Sequence, residues 1–249
     1  MRTVTFKLLF AFALASLIFN AAAADNLYAK NYKEQNIGGL KSMQVEPKTE
    51  MFVSNHKVED NISMLENGFD MMGSSGFEGG VILPALALEH GKAIKADTVL
   101  VYSKYGSTQS NVNQLEFIKE SAKKGKELTE ADVVPQENYI YYASYWAKMP
   151  PPLLGIHVIK LAKKEVSEDE QEDKLVYKDG LKILAVIKGS PAEKAGLKRG
   201  DVLRKIGETE VNKAEELSNV VRQHQGQEVA LTFERGEETK TAKAQISKR

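Results

Sequence analysis

Three consecutive prolines, Pro150-Pro151-Pro152, constrain this chain more than any other feature. Proline fixes φ and carries no backbone donor, so such a run cannot sit inside a helix or a central strand and adopts a stiff extended form. It divides the 249 residues into two units that must each build a core of their own. The chain has no cysteine, which excludes disulfides, a thiol nucleophile and cysteine-ligated zinc, so apolar packing alone has to hold both units. Thirty-four basic residues balance thirty-four acidic ones, an unfavourable composition for a partner of phosphate backbones.

The first residues form a third kind of segment. Arg2 and Lys7 precede an apolar run from Leu8 to Phe19, followed by Asn20 and the alanines Ala21 to Ala24. That order of positive start, short apolar run and small residues predicts a secretory signal over 1–24, cut after Ala24 or Ala23. The run is short for a membrane span of about 20 residues. The signal implies an exported protein, periplasmic in a Gram-negative source and otherwise secreted, with no membrane span in the mature chain.

Residues 25–59 lack a sustained period of 2 or 3.6. They read as an extended lead-in with one strand at Met51 to Val53. Residues 60–149 read as a small α/β domain of unknown role. A strand around Phe69 to Met72 leads into a glycine-rich turn, and a helix over Leu83 to Ala96 carries Pro84 in its first turn. A strand from Thr98 to Tyr102 follows, then a solvated charged stretch from Glu116 to Asp132. The aromatic strand Asn138 to Ala147 closes the unit, its rings explained by packing on both faces.

The last unit, residues 150–249, carries the most specific pattern. Leu153-Leu154-Gly155-Ile156-His157-Val158 follows the prolines. Gly189-Ser190-Pro191-Ala192-Glu193-Lys194-Ala195-Gly196-Leu197 and Gly200-Asp201-Val202-Leu203 come later. Ser190 caps a short helix that Pro191 begins and Gly196 ends, and Gly200-Asp201 turns the chain into a strand over Val202 to Ile206. A helix from Ala214 to Arg222, a strand from Glu228 to Phe233, a turn at Glu234 to Glu237 and a final strand ending near Ile246 complete it.

The run Gly-Ser-Pro-Ala-x-x-Ala-Gly-Leu-x-x-Gly-Asp-Val-Leu resembles the PDZ domains of bacterial HtrA-type proteases. Leu154-Gly155-Ile156 resembles their carboxylate-binding loop. The resemblance covers residues 152 to 247 and implies a partly open β-barrel capped by helices, making the whole chain α+β. It also implies a peptide-binding protein that captures carboxy-terminal tails or extended segments of partner proteins by strand addition. The ligand would lie beside Leu154, Gly155, Ile156, His157 and Val158. Ala214, Ser218 and Val221, on one helical face at i, i+4 and i+7, would form the other wall, with Leu217 and Val220 turned to the core. The loop's N–H groups would take the terminal carboxylate, with Gly155 leaving room for it. Ala214 opening that wall implies an apolar or undemanding preference, and His157 points either to the ligand or outward.

The acidic insert within Lys163 to Asp179 departs from the family. Its carboxylates lack the alternation and glycine of a calcium loop, so it reads as a solvated segment. No metal or cofactor is expected. Relatives of this type are proteases, but about 125 residues precede the prolines after the signal, where a serine-protease double barrel takes about 200 or more. Gly73-Ser74-Ser75-Gly76-Phe77 is the one serine turn resembling a nucleophile site. It lacks the closing glycine, and His56 stands only 19 residues before Ser75. The chain therefore reads as non-catalytic, an HtrA-like relative without a triad. An enzyme with a site at Gly73 to Phe77 is the alternative, and oligomeric state stays open.

Overall fold

A computed structural model of the chain describes residues 25–35, 39–106, 116, 119–125, 138–165 and 174–248. The signal over 1–24, most of the charged stretch after Glu116 and the acidic centre of the insert, Glu168 to Asp173, lie outside the described residues.

The first unit is a five-stranded mixed sheet. Its strands are β1 (Tyr32–Glu34), β2 (Glu50–Ser54), β3 (Phe69–Gly79), β4 (Thr98–Tyr105) and β5 (Tyr139–Lys148), in the spatial order β1-β3-β5-β4-β2. Only the β2–β4 pair is parallel. Helices α1 (Leu27–Lys30) and α3 (Ala85–Ala93) cover one face, where Tyr28, Ala87, Val99, Val101, Tyr141 and Tyr145 are buried together. Helix α2 (Lys57–Glu66) covers the other, packing Met64 and Leu65 on Leu100, Tyr102 and Trp146. Burial on both faces is why β4 opens as the continuous run Thr-Val-Leu-Val-Tyr, without polar alternation.

Two expectations for this unit are corrected. Residues 25–59 are no lead-in. They supply β1 and β2 to the sheet, and Tyr28 is fully buried in the core. Asn26 fixes the entry: its side-chain oxygen caps α1 by accepting the N–H of Tyr28 and Ala29, while its amide donates to the Leu86 carbonyl at 2.7 Å. Strands of three and five residues are too short to show a period. The glycine-rich turn expected after Met72 is instead the middle of β3. A side chain at Gly73 would meet the Lys33 carbonyl at 2.5 Å, so this glycine lets β1 pair alongside.

The second unit is a sheet of β6 (Ile156–Ile159), β9 (Leu181–Val186), β10 (Val202–Ile206), β12 (Glu228–Arg235) and β13 (Glu238–Gln245), in the order β13-β12-β10-β9-β6. The short β11 (Thr209–Glu210) pairs with β10, and β7 (Ala162–Glu165) forms a separate hairpin with β8 (Lys174–Tyr177). Two helices close it, α4 (Pro191–Lys194) and α5 (Ala214–Gln223). Leu181, Ile183, Leu203, Ile206, Leu231 and Phe233 point inward from their strands to meet Leu217 and Val220 of α5. The chain is α+β, as expected.

The turn Asn67-Gly68 joins the units. Lys188 donates its N–H to the Glu66 carbonyl at 2.8 Å and its ammonium to Asn67 Oδ1 at 3.0 Å. Met149 N–H reaches the Gly68 carbonyl at 3.0 Å, and the Lys148 ammonium donates to the Asn67 carbonyl. The prolines thus leave the first unit beside a turn that is already fastened to the second.

Candidate functional site

Strand β6 is the terminal strand of its sheet: β9 holds one edge, and the other faces α5 across a cavity of about 430 Å³. The loop entering β6 is held through its carbonyls. Leu153 accepts from Ser247 N–H, Leu154 from Ala192 N–H and Gly155 from Ile187 N–H, each at 2.9 Å. The N–H groups of Leu154 and Gly155 find no acceptor among the described residues. Two adjacent donors without acceptors therefore lie where the open strand begins.

Helix α5 forms the facing wall. Glu216 caps its start, accepting N–H groups of Asn212 (2.9 Å) and Lys213 (3.1 Å). Its next turns present Leu217, Ser218, Val221 and Arg222 to the cavity. Across from them stand Leu154, Gly155, Ile156 and His157, so six of the eight residues expected in a ligand groove are brought together.

Val158 and Ala214 are not among the cavity's lining residues. Val158 packs against the unit's core, because it shares the strand face of Ile156 but lies deeper along the sheet. Ala214 sits at the start of α5 beside a second hollow lined by Lys160, Tyr177, Asp179 and Asn212. Leu217, assigned wholly to the core, serves both core and cavity.

Gly155 also meets a packing need. Its φ is +91°, and a Cβ there would lie 2.2 Å from Ser190 Cβ and 2.5 Å from Ser190 Oγ. Ser190 is the buried cap of α4, accepting Glu193 N–H at 3.3 Å. The glycine therefore permits the loop to press against α4, a packing requirement beside any clearance for a ligand.

A third wall was not legible in the chain's own pattern. Gly68, Phe69 and Asp70 of the first unit, with Met149 and Pro150 of the connection, also line the cavity. Burial pushes the His157 imidazole below its ordinary 6.5, and the nearby Asp70 charge partly opposes that. The turn Asn67-Gly68, docked on Lys188, helps bring these residues within reach.

The serine segment of the alternative reading lies inside β3. Ser75 is fully buried and donates its hydroxyl to the Tyr28 carbonyl at 2.6 Å, with the Tyr145 hydroxyl at 3.4 Å. Burial pushes Tyr145 up to about 12. Among the described residues no group of His, Asp and Glu has the geometry to hold a metal ion.

Residues 152–246 match the family profile described as PDZ domain, so the second unit is a PDZ domain. A Serine protease Do-like HtrA of Lactococcus lactis is 31% identical over 103 residues, 41% of this chain and 25% of that protein. The chain thus spans about a quarter of the length of this curated relative. Among solved structures, an HtrA-type protease AlgW with decapeptide is 26% identical, with a TM-score of 0.32 over 39% of this chain and 29% of that one. An HtrA3 PDZ domain bound to a phage-derived ligand is 21% identical, with a TM-score of 0.28 over 37% of this chain and 81% of that one. The unit is homologous to the PDZ domains of HtrA proteases.

Proposed function

We propose that this protein is an exported, non-catalytic peptide binder that captures carboxy-terminal tails or extended segments of partner proteins between β6 and α5. The observation that carries the reading is the pair of unpartnered N–H groups at Leu154 and Gly155, at the mouth of the cavity and beside an open strand edge. A tail adding antiparallel to β6 would deliver its carboxylate to those donors. Its last side chain would enter the space between Leu154, Ile156, Leu217 and Val221.

Burying one apolar side chain contributes about 1.5–3 kcal/mol, and each ladder hydrogen bond about 0.5–1.5 kcal/mol net. Against the entropy of ordering a short peptide, affinity near the micromolar range, about −8 kcal/mol, is expected. Export rests on the amino-terminal signal pattern: periplasmic in a Gram-negative source, secreted otherwise. The first unit would act as a scaffold or second interaction surface.

Binding of labelled peptides with free or amidated carboxyl ends to the full chain tests the reading, alongside Ser218→Phe. Ser218 is exposed on α5 and its side chain has no hydrogen-bond partner among the described residues, so the substitution fills the cavity mouth with little effect on the core. Amidation and the substitution are each expected to weaken binding about tenfold or more. Equal binding of both peptide forms, or none by the wild-type chain, would sink the proposal.

A further inference from the structure

The PDZ groove has a wall that its own unit does not supply. Ile156 and Val158 pack against the core of the second unit, so alternation along β6 turns His157 to the opposite face. Asp70 stands there, contributed by β3 of the first unit and close enough for its charge to act on His157. Its Oδ1 accepts the N–H of Met71 at 2.9 Å, while its Oδ2 has no partner among the described residues. Phe69 beside it lines the same cavity and is overlaid by the Lys148 ammonium at 4.5 Å. The charged groups around the cavity are thus Asp70, the Lys148 ammonium over Phe69 and, across it on α5, Arg222, whose Nε is occupied by the Ser218 carbonyl at 3.1 Å. His157 is held towards its neutral form by burial.

A tail added to β6 obeys the same alternation. With its carboxylate on the Leu154 and Gly155 donors and its last side chain in the apolar space, its penultimate side chain turns to the face of His157. We infer that Asp70 and Phe69 form a subsite for that penultimate side chain, so the groove is completed by both units and selects tails with lysine or arginine before an apolar last residue. The inference rests on the peptide-binding reading above. It adds to that reading a specificity residue outside the PDZ unit and a chemical class for the partner: an apolar carboxy-terminal residue preceded by a basic one. The subsite is half sheltered, and Asp70 offers one unpaired carboxylate oxygen to an ammonium or guanidinium.

The test uses the full chain and labelled hexapeptides that end in valine and differ only in arginine, alanine or glutamate at the penultimate position. Fluorescence anisotropy gives their affinities for the wild type and for Asp70→Asn, which keeps an oxygen for Met71 N–H and removes the charge. The wild type is expected to prefer arginine over alanine by about three- to tenfold and to rank glutamate last. Asp70→Asn should bring the arginine-to-alanine ratio close to one. A ratio that survives in Asp70→Asn, or no preference in the wild type while the peptides still bind, overturns this inference and leaves the groove reading intact. If none of the free-carboxylate peptides binds, the groove reading falls and takes the subsite with it.

Discussion

Replacing Gly155 by alanine should destabilise the second unit by more than the loss of a left-handed glycine explains. Two costs combine. An L-residue at φ +91° is strained by about 1–2 kcal/mol. The added Cβ would also lie 2.2 Å from Ser190 Cβ, with Pro152 Cγ at 3.1 Å on another side. Relieving such an overlap in a packed setting costs about 1–3 kcal/mol. Together they amount to about 2–5 kcal/mol, a large share of the 5–15 kcal/mol typical of a domain. Gly189→Ala is the matched control, because Gly189 has a φ of +73° and open space where its Cβ would go. It should incur the strain alone. Urea unfolding followed by far-UV circular dichroism measures both. With a slope of about 2 kcal/mol/M, Gly155→Ala should lower the midpoint by about 1–2.5 M and Gly189→Ala by under about 1 M. Trp146, the one tryptophan, belongs to the first unit and reports separately whether that unit follows. Equal midpoint shifts for the two variants would refute the packing argument and leave ligand clearance as the reason for Gly155.

Two more outcomes follow from the described contacts. His157 has a folded pKa below 6.5, so between that lowered value and 6.5 the unfolded chain binds more protons. The stability it contributes is therefore present above about 6.5 and lost as pH falls through the folded value. His157→Gln should flatten the dependence of the urea midpoint on pH below about 6.5, and an unchanged slope would contradict this. His90, lowered by burial in the other unit, supplies a slope of the same sign that the variant retains. Asp201 is 2% exposed and takes a two-pronged pairing from Arg235 at 2.8 Å, plus Lys198 N–H at 2.8 Å. Glu234 pairs with Arg204 at a half-exposed site. Asp201→Ala should therefore lower the thermal midpoint clearly more than Glu234→Ala, and the reverse order in a melting scan would refute the assignment.

Much of the second unit was legible because its rules are local. Ser190 and Pro191 announce a helix start, and Glu228 to Phe233 announces a strand. The face of α5 was legible too, but its register against the sheet was not. Val158 and Ala214 fall outside the cavity because strand depth and helix offset are set by packing between elements, which spacing along one element does not encode. In the first unit the misread segments are those fixed by distant partners. Tyr28 is held in the core with help from Asn26 reaching Leu86, and Gly73 lies in a strand that β1 pairs alongside. Asp70 reaches the groove through hydrogen bonds between Lys188 and the turn before β3.

The open edge of β6 has a further consequence, for solubility. An unpaired strand invites neighbouring chains to add one after another, the route by which sheets polymerise. Here the edge is four residues long and looks onto α5, with Phe69 and Asp70 beside the entrance. A guest strand that pairs with β6 turns its own outer edge towards the helix and not towards solution. Growth stops after one addition, so the fold can keep a strand edge available without seeding a fibre.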